Sequence, residues 1–140
     1  MSFDSSNISK VDNLVMCSLN VRGLSNEVKR RETFNWLRNK KYSVFFLQEV
    51  HSSKETENLL LAEWGYRGLF SSLSSCRAGV SILFNNNFSF EIQKYFSDSK
   101  GRFITVDIKT EDKMITLQNI YAPEKRETCM KLEIEKQSLE

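Results

Sequence analysis

Two nearly continuous apolar runs, separated by a basic segment, limit the possible folds of this chain more than any other feature. The first run, Leu14 to Leu19, ends at Asn20. The second, Val44 to Gln48, ends at Glu49. Such runs are typical of strands buried on both faces, and residues 27–39 between them have helical spacing. We therefore predict a βαβ unit with a right-handed crossover, whose strand ends meet where open α/β sheets place their chemistry.

The rest of the chain predicts a second helix and then mainly antiparallel strands. Lys54 to Trp64 has helical spacing and is followed by Gly65, a typical helix-ending residue. Ser25 and Ser53 are candidate caps for the two helices. Five strand candidates remain, at 66–70, 79–84, 88–96, 102–108 and 114–121. The expected fold class is α+β, with a mixed, mostly antiparallel sheet and two helices.

Composition restricts the class of protein. A chain of 140 residues with 40% hydrophobic residues and a net charge of +2 fits one domain with a real core. No apolar run is long enough for a membrane span, and residues 1–12 lack the apolar core of a signal peptide. The three cysteines form no C-x-x-C pair. We therefore expect a nuclear or cytoplasmic protein that is not secreted.

Asn20, Glu49 and Tyr121 are the residues whose chemistry points to a site. Each ends a strand-like run. A carboxylate in such a place can be an oxygen ligand of Mg²⁺, although a lone acid there more often just faces solvent. Asn20 can orient a phosphate oxygen or simply form a turn. Tyr121 can donate a hydrogen bond to a developing charge or serve as a packing residue. The combination of the three favours a site.

The segments around these residues carry a family resemblance. They are Asn20-Val21-Arg22-Gly23-Leu24, Leu47-Gln48-Glu49-Val50-His51 and Asn119-Ile120-Tyr121-Ala122-Pro123. Together they resemble the exonuclease–endonuclease–phosphatase family, which has a deoxyribonuclease-I-like fold, and within it the endonuclease domain of LINE-type retrotransposons. The resemblance implies the first half of a four-layer α/β sandwich. It also implies DNA as substrate and Mg²⁺, or Mn²⁺, as cofactor.

The resemblance assigns roles to individual residues. Glu49 would hold the metal, Asn20 would belong to the phosphate site, and Tyr121 would lie near the scissile phosphate. Three further residues, Arg22, Asn119 and Arg77, would contact phosphate or DNA. At position 22 many relatives, repair enzymes among them, carry a metal-site Asp. Arg22 therefore argues against the alternative of an abasic-site repair nuclease.

Two motifs of complete family members have no match in these 140 residues. They are an Asp-x-Asn segment and a terminal Asp-His pair, and His51 does not correspond to the His of that pair. The expected organisation is a disordered leader at 1–12, a truncated domain at 13–123 and a charged, non-matching tail at 124–140. We expect this polypeptide to be catalytically inactive, to bind DNA weakly and to self-associate through a sheet face left uncovered. A non-catalytic remnant that binds nucleic acid or partners weakly stays open as an alternative.

Overall fold

The computed structural model describes residues 7–11, 14–73, 78–111, 113–122 and 127–135. It contains nine strands and two helices within these ranges. In chain order they are β1 (Asn7–Val11), β2 (Leu14–Asn20), α1 (Glu27–Asn39), β3 (Val44–Gln48), α2 (Glu57–Trp64), β4 (Gly68–Ser71), β5 (Val80–Phe84), β6 (Glu91–Ser97), β7 (Phe103–Lys109), β8 (Met114–Ala122) and β9 (Glu127–Glu135).

The two helices lie where the sequence predicts them. Helix α1 has the predicted bounds, but its N-cap is Asn26, not Ser25, and Asn26 Oδ1 accepts a hydrogen bond from the backbone N–H of Lys29. Helix α2 begins three residues later than expected, at Glu57, because Ser53 and Thr56 bond to each other in a turn before it. Gly65 ends α2 in the left-handed conformation, with φ 89°, a conformation that glycine adopts without a Cβ penalty.

The first sheet has five strands in the order β1-β2-β3-β5-β4. Strands β2 and β3 are parallel on either side of helix α1 in the chain, which confirms the βαβ order. The other pairs of this sheet are antiparallel. Strand β1 corrects the expectation of a disordered leader over Asn7–Val11, since these residues pair along the free edge of β2. Backbone pairing to an existing strand requires no apolar pattern of its own, so the sequence carries little signal for it.

The second sheet has four antiparallel strands in the order β6-β7-β8-β9. We expected only one sheet in this chain, and that expectation is wrong. Strand β9 falls in the segment expected to be a non-matching tail, where it pairs with β8 over its whole length. Residues 130–134 alternate between apolar and charged types in the sequence, which is the period of a strand. Because the segment contains few apolar residues, this period is easy to miss.

The core forms on both sides of the five-stranded sheet. One cluster fills the space between the two sheets, with Phe46, Ile82 and Phe84 facing Ile104 and Leu117. The other lies under the helices, where Phe34 and Leu37 of α1 and Trp64 of α2 pack on Phe45 and Leu47. The described residues thus form three layers, helices on sheet on sheet. The fold is α+β with two helices, as the sequence predicts.

We expected one apolar face of the sheet to be uncovered, but the face between the two sheets is covered. Because β6–β9 close over the five-stranded sheet, that face is buried. Exposed aromatic side chains lie instead on strand β6, where Tyr95 and Phe96 are 58% and 61% exposed. None of the helices in the described ranges is long and apolar enough to cross a membrane.

Candidate active site

The backbones of two parallel strands continue side by side past their ends. Asn20 on β2 pairs in register with Gln48 on β3, so Glu49 is the first residue beyond that pair. The N–H groups of Val21, Gly23 and Leu24 then donate to the carbonyls of residues 48, 49 and 50 at 3.0, 2.6 and 3.0 Å. This ladder fixes the Glu49 segment against the Arg22 segment.

The same two segments hold an unusual concentration of strained backbone. Arg22, Glu49 and His51 have φ values of 52°, 52° and 59°. These are the only non-glycine residues with positive φ in the described part of the chain. Each such residue costs about 1–3 kcal/mol and persists only where its surroundings require it, typically at functional sites. Strain therefore marks the ends of β2 and β3 independently of the sequence motifs.

Tyr121 approaches Glu49 from the other sheet. It lies near the end of β8, on the face that packs against the five-stranded sheet, and is 8% exposed. Its hydroxyl donates a hydrogen bond to Glu49 Oε1, and its backbone N–H donates to the Arg102 carbonyl at 2.8 Å. The two residues, 72 positions apart in sequence, meet where the two sheets come together. The structure therefore brings a carboxylate and a phenol hydroxyl to one point.

Asn20 and Arg22 border this point on the neighbouring strand. Asn20 is half-buried, and its Oδ1 accepts a hydrogen bond from the Arg22 N–H at 3.0 Å. No hydrogen bond joins the side chains of Asn20 and Glu49, which are both described residues. Arg22 is exposed, and Lys29 Nζ donates to its carbonyl at 3.0 Å. Two cations, Arg22 and Lys29, thus lie beside the strand end.

Asn119 and Gln48 lie beneath the Glu49–Tyr121 contact and are both fully buried. Asn119 Nδ2 donates to the carbonyls of Leu47 and Ser81, each at 2.9 Å. Gln48 Nε2 donates to Asn119 Oδ1 at 2.9 Å. This position does not suit the DNA contact expected of Asn119, because its amide is inaccessible to a ligand. Gln48 had no predicted role, because no sequence pattern shows that two amides from different sheets will meet.

One residue expected to contact phosphate or DNA remains, and two further residues, His51 and Arg102, adjoin the Glu49 and Tyr121 segments. Arg77 falls outside the described residues. His51 is half-buried, and its ring packs so close to Gly23 that an added Cβ there would lie 2.5 Å from His51 Nδ1. The Arg102 guanidinium hydrogen-bonds the Asp98 carboxylate at 2.8 Å and holds the pKa of that carboxyl below its ordinary value. Arg102 is thereby paired within the protein.

The described residues supply only some of the ligands that a metal ion needs. No group of three or more His, Cys, Asp or Glu side chains able to hold a metal occurs among the described residues. Glu49 contributes one carboxylate, and only one of its oxygens accepts the Tyr121 hydroxyl. Mg²⁺ is commonly bound through one or two carboxylates, with water and substrate phosphate completing the shell. The donor set therefore suits a weakly held, water-rich Mg²⁺ and not a closed protein cage.

Comparison with known proteins identifies the class. Residues 17–128 match the endonuclease/exonuclease/phosphatase family, and the matched range includes both helices, strands β3 to β8 and the Glu49–Tyr121 contact. The chain belongs to this family and carries a nuclease-like domain.

A relative in a transposon is also similar to this chain. The uncharacterized 149 kDa protein of transposon TX1 from Xenopus laevis is 33% identical over 110 residues. The aligned region covers 79% of this chain and 8% of that protein, so the chain spans a small part of the relative's length.

Proposed function

We propose that this chain carries the metal-binding and phosphate-facing part of a Mg²⁺-dependent DNA endonuclease site of the LINE retrotransposon type. The observation that carries the proposal is the hydrogen bond from Tyr121 to Glu49. It joins the end of β3 to the end of β8, the two places where the family resemblance predicts a metal ligand and a phosphate-contacting hydroxyl. The transposon origin of the relative supports the retrotransposon branch.

Each side chain of the proposed site has a distinct task. Glu49 would hold Mg²⁺, which when bound supplies positive charge to stabilise the phosphodiester transition state. Tyr121 orients the carboxylate in the free protein by donating its single hydroxyl proton to Glu49, and would redirect that proton to a phosphate oxygen when DNA binds. Asn20 offers a neutral amide for a phosphate oxygen. Arg22, exposed and multidentate, suits the DNA backbone on either side of the scissile bond. The expected product is a nicked strand with a 3′-hydroxyl.

Metal binding is the property that tests this proposal. Mn²⁺ titration of the 140-residue chain, followed by electron paramagnetic resonance, should give a weak site with a Kd of roughly 1 mM, as expected for a water-rich site with few carboxylates. Glu49→Gln should abolish that site. Glu32→Gln is a matched control, since Glu32 is an exposed glutamate of helix α1. Equal Mn²⁺ binding by the native chain and Glu49→Gln would remove Glu49 from the metal role.

We further propose that the 140-residue polypeptide does not cleave DNA on its own. The resemblance implies that complete family members activate water and protonate the leaving group with the Asp-x-Asn and Asp-His motifs. Neither motif occurs in this sequence. Supercoiled plasmid incubated with the chain and Mg²⁺ should therefore stay supercoiled. Metal-dependent nicking that Glu49→Ala abolishes would contradict this proposal, and would mean that another residue of this chain activates water.

A further inference from the structure

We propose that Gln48 and Asn119 are positioning residues that lock the two sheets in the one register in which Tyr121 reaches Glu49. This inference rests on the proposed function for its significance, because it concerns how the proposed metal ligand is oriented. The two residues touch neither metal nor DNA. They act through their neighbours in the chain, one residue before Glu49 and two before Tyr121.

The hydrogen bonds of the two amides connect four strands. Asn119 on β8 bonds to the carbonyls of Leu47 on β3 and Ser81 on β5, which are paired residues of the other sheet. Gln48 Nε2 returns a bond to Asn119 Oδ1 and also reaches Ser18 Oγ on β2 at 3.1 Å. A shift of β8 along β3 by even one residue would break all the bonds of Asn119.

The surroundings of the amides explain why they act as a register lock. Apolar side chains surround the two amides between the sheets, and apolar contacts are non-directional. The hydrogen bonds of Ser71 to the Asp98 carbonyl and of Ser97 to the Phe70 carbonyl also join the sheets, but they lie at the β4–β6 edge. An apolar interface alone would therefore tolerate small slides of one sheet over the other. Hydrogen bonds lose strength steeply with distance and angle, so the amides select one relative position. Because Asn119 and Tyr121 are two residues apart on one strand, they share a face, and fixing one fixes the other.

The energetic cost of burying Gln48 and Asn119 indicates that the two amides fix the geometry of the site and do not mainly stabilise the fold. Gln48 Oε1 is buried without a hydrogen-bond partner in the described part of the chain. Each unsatisfied buried polar group costs about 1–3 kcal/mol. Apolar residues of similar size would avoid this cost, as replacement of buried polar networks by apolar groups often does. The amides therefore suit a positioning role better than a purely stabilising one.

The test compares a double variant with a matched control. Gln48→Met/Asn119→Leu replaces both amides with apolar side chains of similar size. Asn85→Leu is the control, because Asn85 is also buried and its Nδ2 donates to two backbone carbonyls, those of Lys40 and Tyr42, each at 3.0 Å. Asn85 follows β5 and so lies at the end of the sheet opposite Glu49. Two readouts are followed: Mn²⁺ affinity, and the hydroxyl proton resonance of Tyr121 in metal-free protein, assigned by its loss in Tyr121→Phe.

The double variant should stay folded, lose the Tyr121 hydroxyl resonance and bind Mn²⁺ at least about tenfold more weakly, the usual scale for groups that orient a metal ligand. Asn85→Leu should lower the unfolding free energy and change neither readout. A double variant that keeps both the resonance and the affinity overturns the inference. If it does not fold, Ser18→Ala decides: it removes one acceptor of Gln48 and should weaken both readouts, and no change in either overturns the role of Gln48.

The two proposals can fail separately. If the native chain and Glu49→Gln bind Mn²⁺ equally, the proposed function fails. Loss of the hydroxyl resonance in the metal-free double variant would still support the positioning role, because that measurement requires no metal.

Discussion

The Tyr121 hydroxyl donates a hydrogen bond to the Glu49 carboxylate across the junction of two sheets. Glu49 belongs to the loop after a parallel strand of one sheet, and Tyr121 to an antiparallel strand of the other. A contact between distant chain segments at the end of a sandwich requires both sheets to be formed and correctly docked. The presence of this contact therefore shows that the proposed site is correctly assembled.

Removal of the Tyr121 hydroxyl should weaken both stability and metal binding. In Tyr121→Phe the ring still fills its place in the core, but the bond to a charged acceptor is lost, and such bonds contribute about 1.5–3 kcal/mol when buried. Since this contact is only partly buried, we expect a loss of about 1 kcal/mol in urea unfolding. Tyr66→Phe, a half-buried tyrosine packed on Trp64, serves as the control. An unchanged unfolding free energy in Tyr121→Phe would show that the hydroxyl bond contributes nothing.

Gly23 should tolerate no side chain. Its φ of 88° is in the left-handed region, and a Cβ would lie 2.5 Å from His51 Nδ1. We expect Gly23→Ala to lower the unfolding free energy by about 2–4 kcal/mol, the sum of left-handed strain and overpacking. Gly65→Ala separates the two effects, because Gly65 has φ 89° with nothing within 4 Å of the added Cβ. It should cost only about 1 kcal/mol.

The clash at Gly23 should be relieved by shortening its neighbour. In Gly23→Ala/His51→Ala the imidazole is absent, so only the backbone strain remains. The loss relative to His51→Ala alone should then approach that of Gly65→Ala. Strict additivity of the Gly23 and His51 substitutions would show that the two residues are not coupled.

The ion pair between the helices should make stability depend on acid pH. Arg30 of α1 bonds Glu63 of α2 through Nη2 and Oε1 at 3.0 Å, and this hydrogen bond lowers the pKa of Glu63 below its ordinary value of 4.5. A carboxyl with a lowered folded-state pKa stabilises the fold fully above its unfolded value and loses that stabilisation as pH falls through the folded value. Urea unfolding should therefore show stability declining below about pH 4.5.

Glu63→Gln isolates this contribution. The variant should be less stable than the native chain at pH 7, and the difference should shrink as pH falls below the ordinary carboxyl range. Glu32→Gln, at an exposed position on α1, should follow the native curve. Parallel curves for the native chain and Glu63→Gln down to pH 2.5 would contradict the assignment.

The sequence predicts part of this fold well because some elements have strong local patterns. The runs at β2 and β3 and the spacing of α1 specify their elements independently of the rest of the chain. Strands β1 and β9 were missed because each depends on pairing with a neighbour, and the sequence of β9 contains as many charged as apolar residues. The expectation of a single sheet was wrong for a different reason: strands β6 to β8 were predicted, but their sequence patterns do not show which strands pair with one another.

The candidate site also contains some residues that the sequence predicts and others that it does not. Glu49 and Tyr121 were predictable as strand-end residues with a family resemblance, and their contact agrees with a shared location. The buried amides of Gln48 and Asn119 were not predictable as partners, because their contact depends on how one sheet registers against the other. The left-handed backbone at Arg22, Glu49 and His51 was likewise not predictable from the sequence, since Arg and Glu seldom adopt that conformation and a single His is only a weak indication of it.

Terbium luminescence tests whether Glu49 and Tyr121 form one metal site. Tb³⁺ replaces Mg²⁺ at oxygen sites and emits strongly when a nearby aromatic ring transfers energy to it. With excitation in the tyrosine band, the native chain should show saturable Tb³⁺ emission that excess Mg²⁺ competes away. Glu49→Gln should abolish the emission because the ion is not held, and Tyr121→Phe should lose most of it while still binding Tb³⁺ by calorimetry. Emission that persists unchanged in Glu49→Gln, or that is undiminished in Tyr121→Phe, would contradict a metal site at the Glu49–Tyr121 contact.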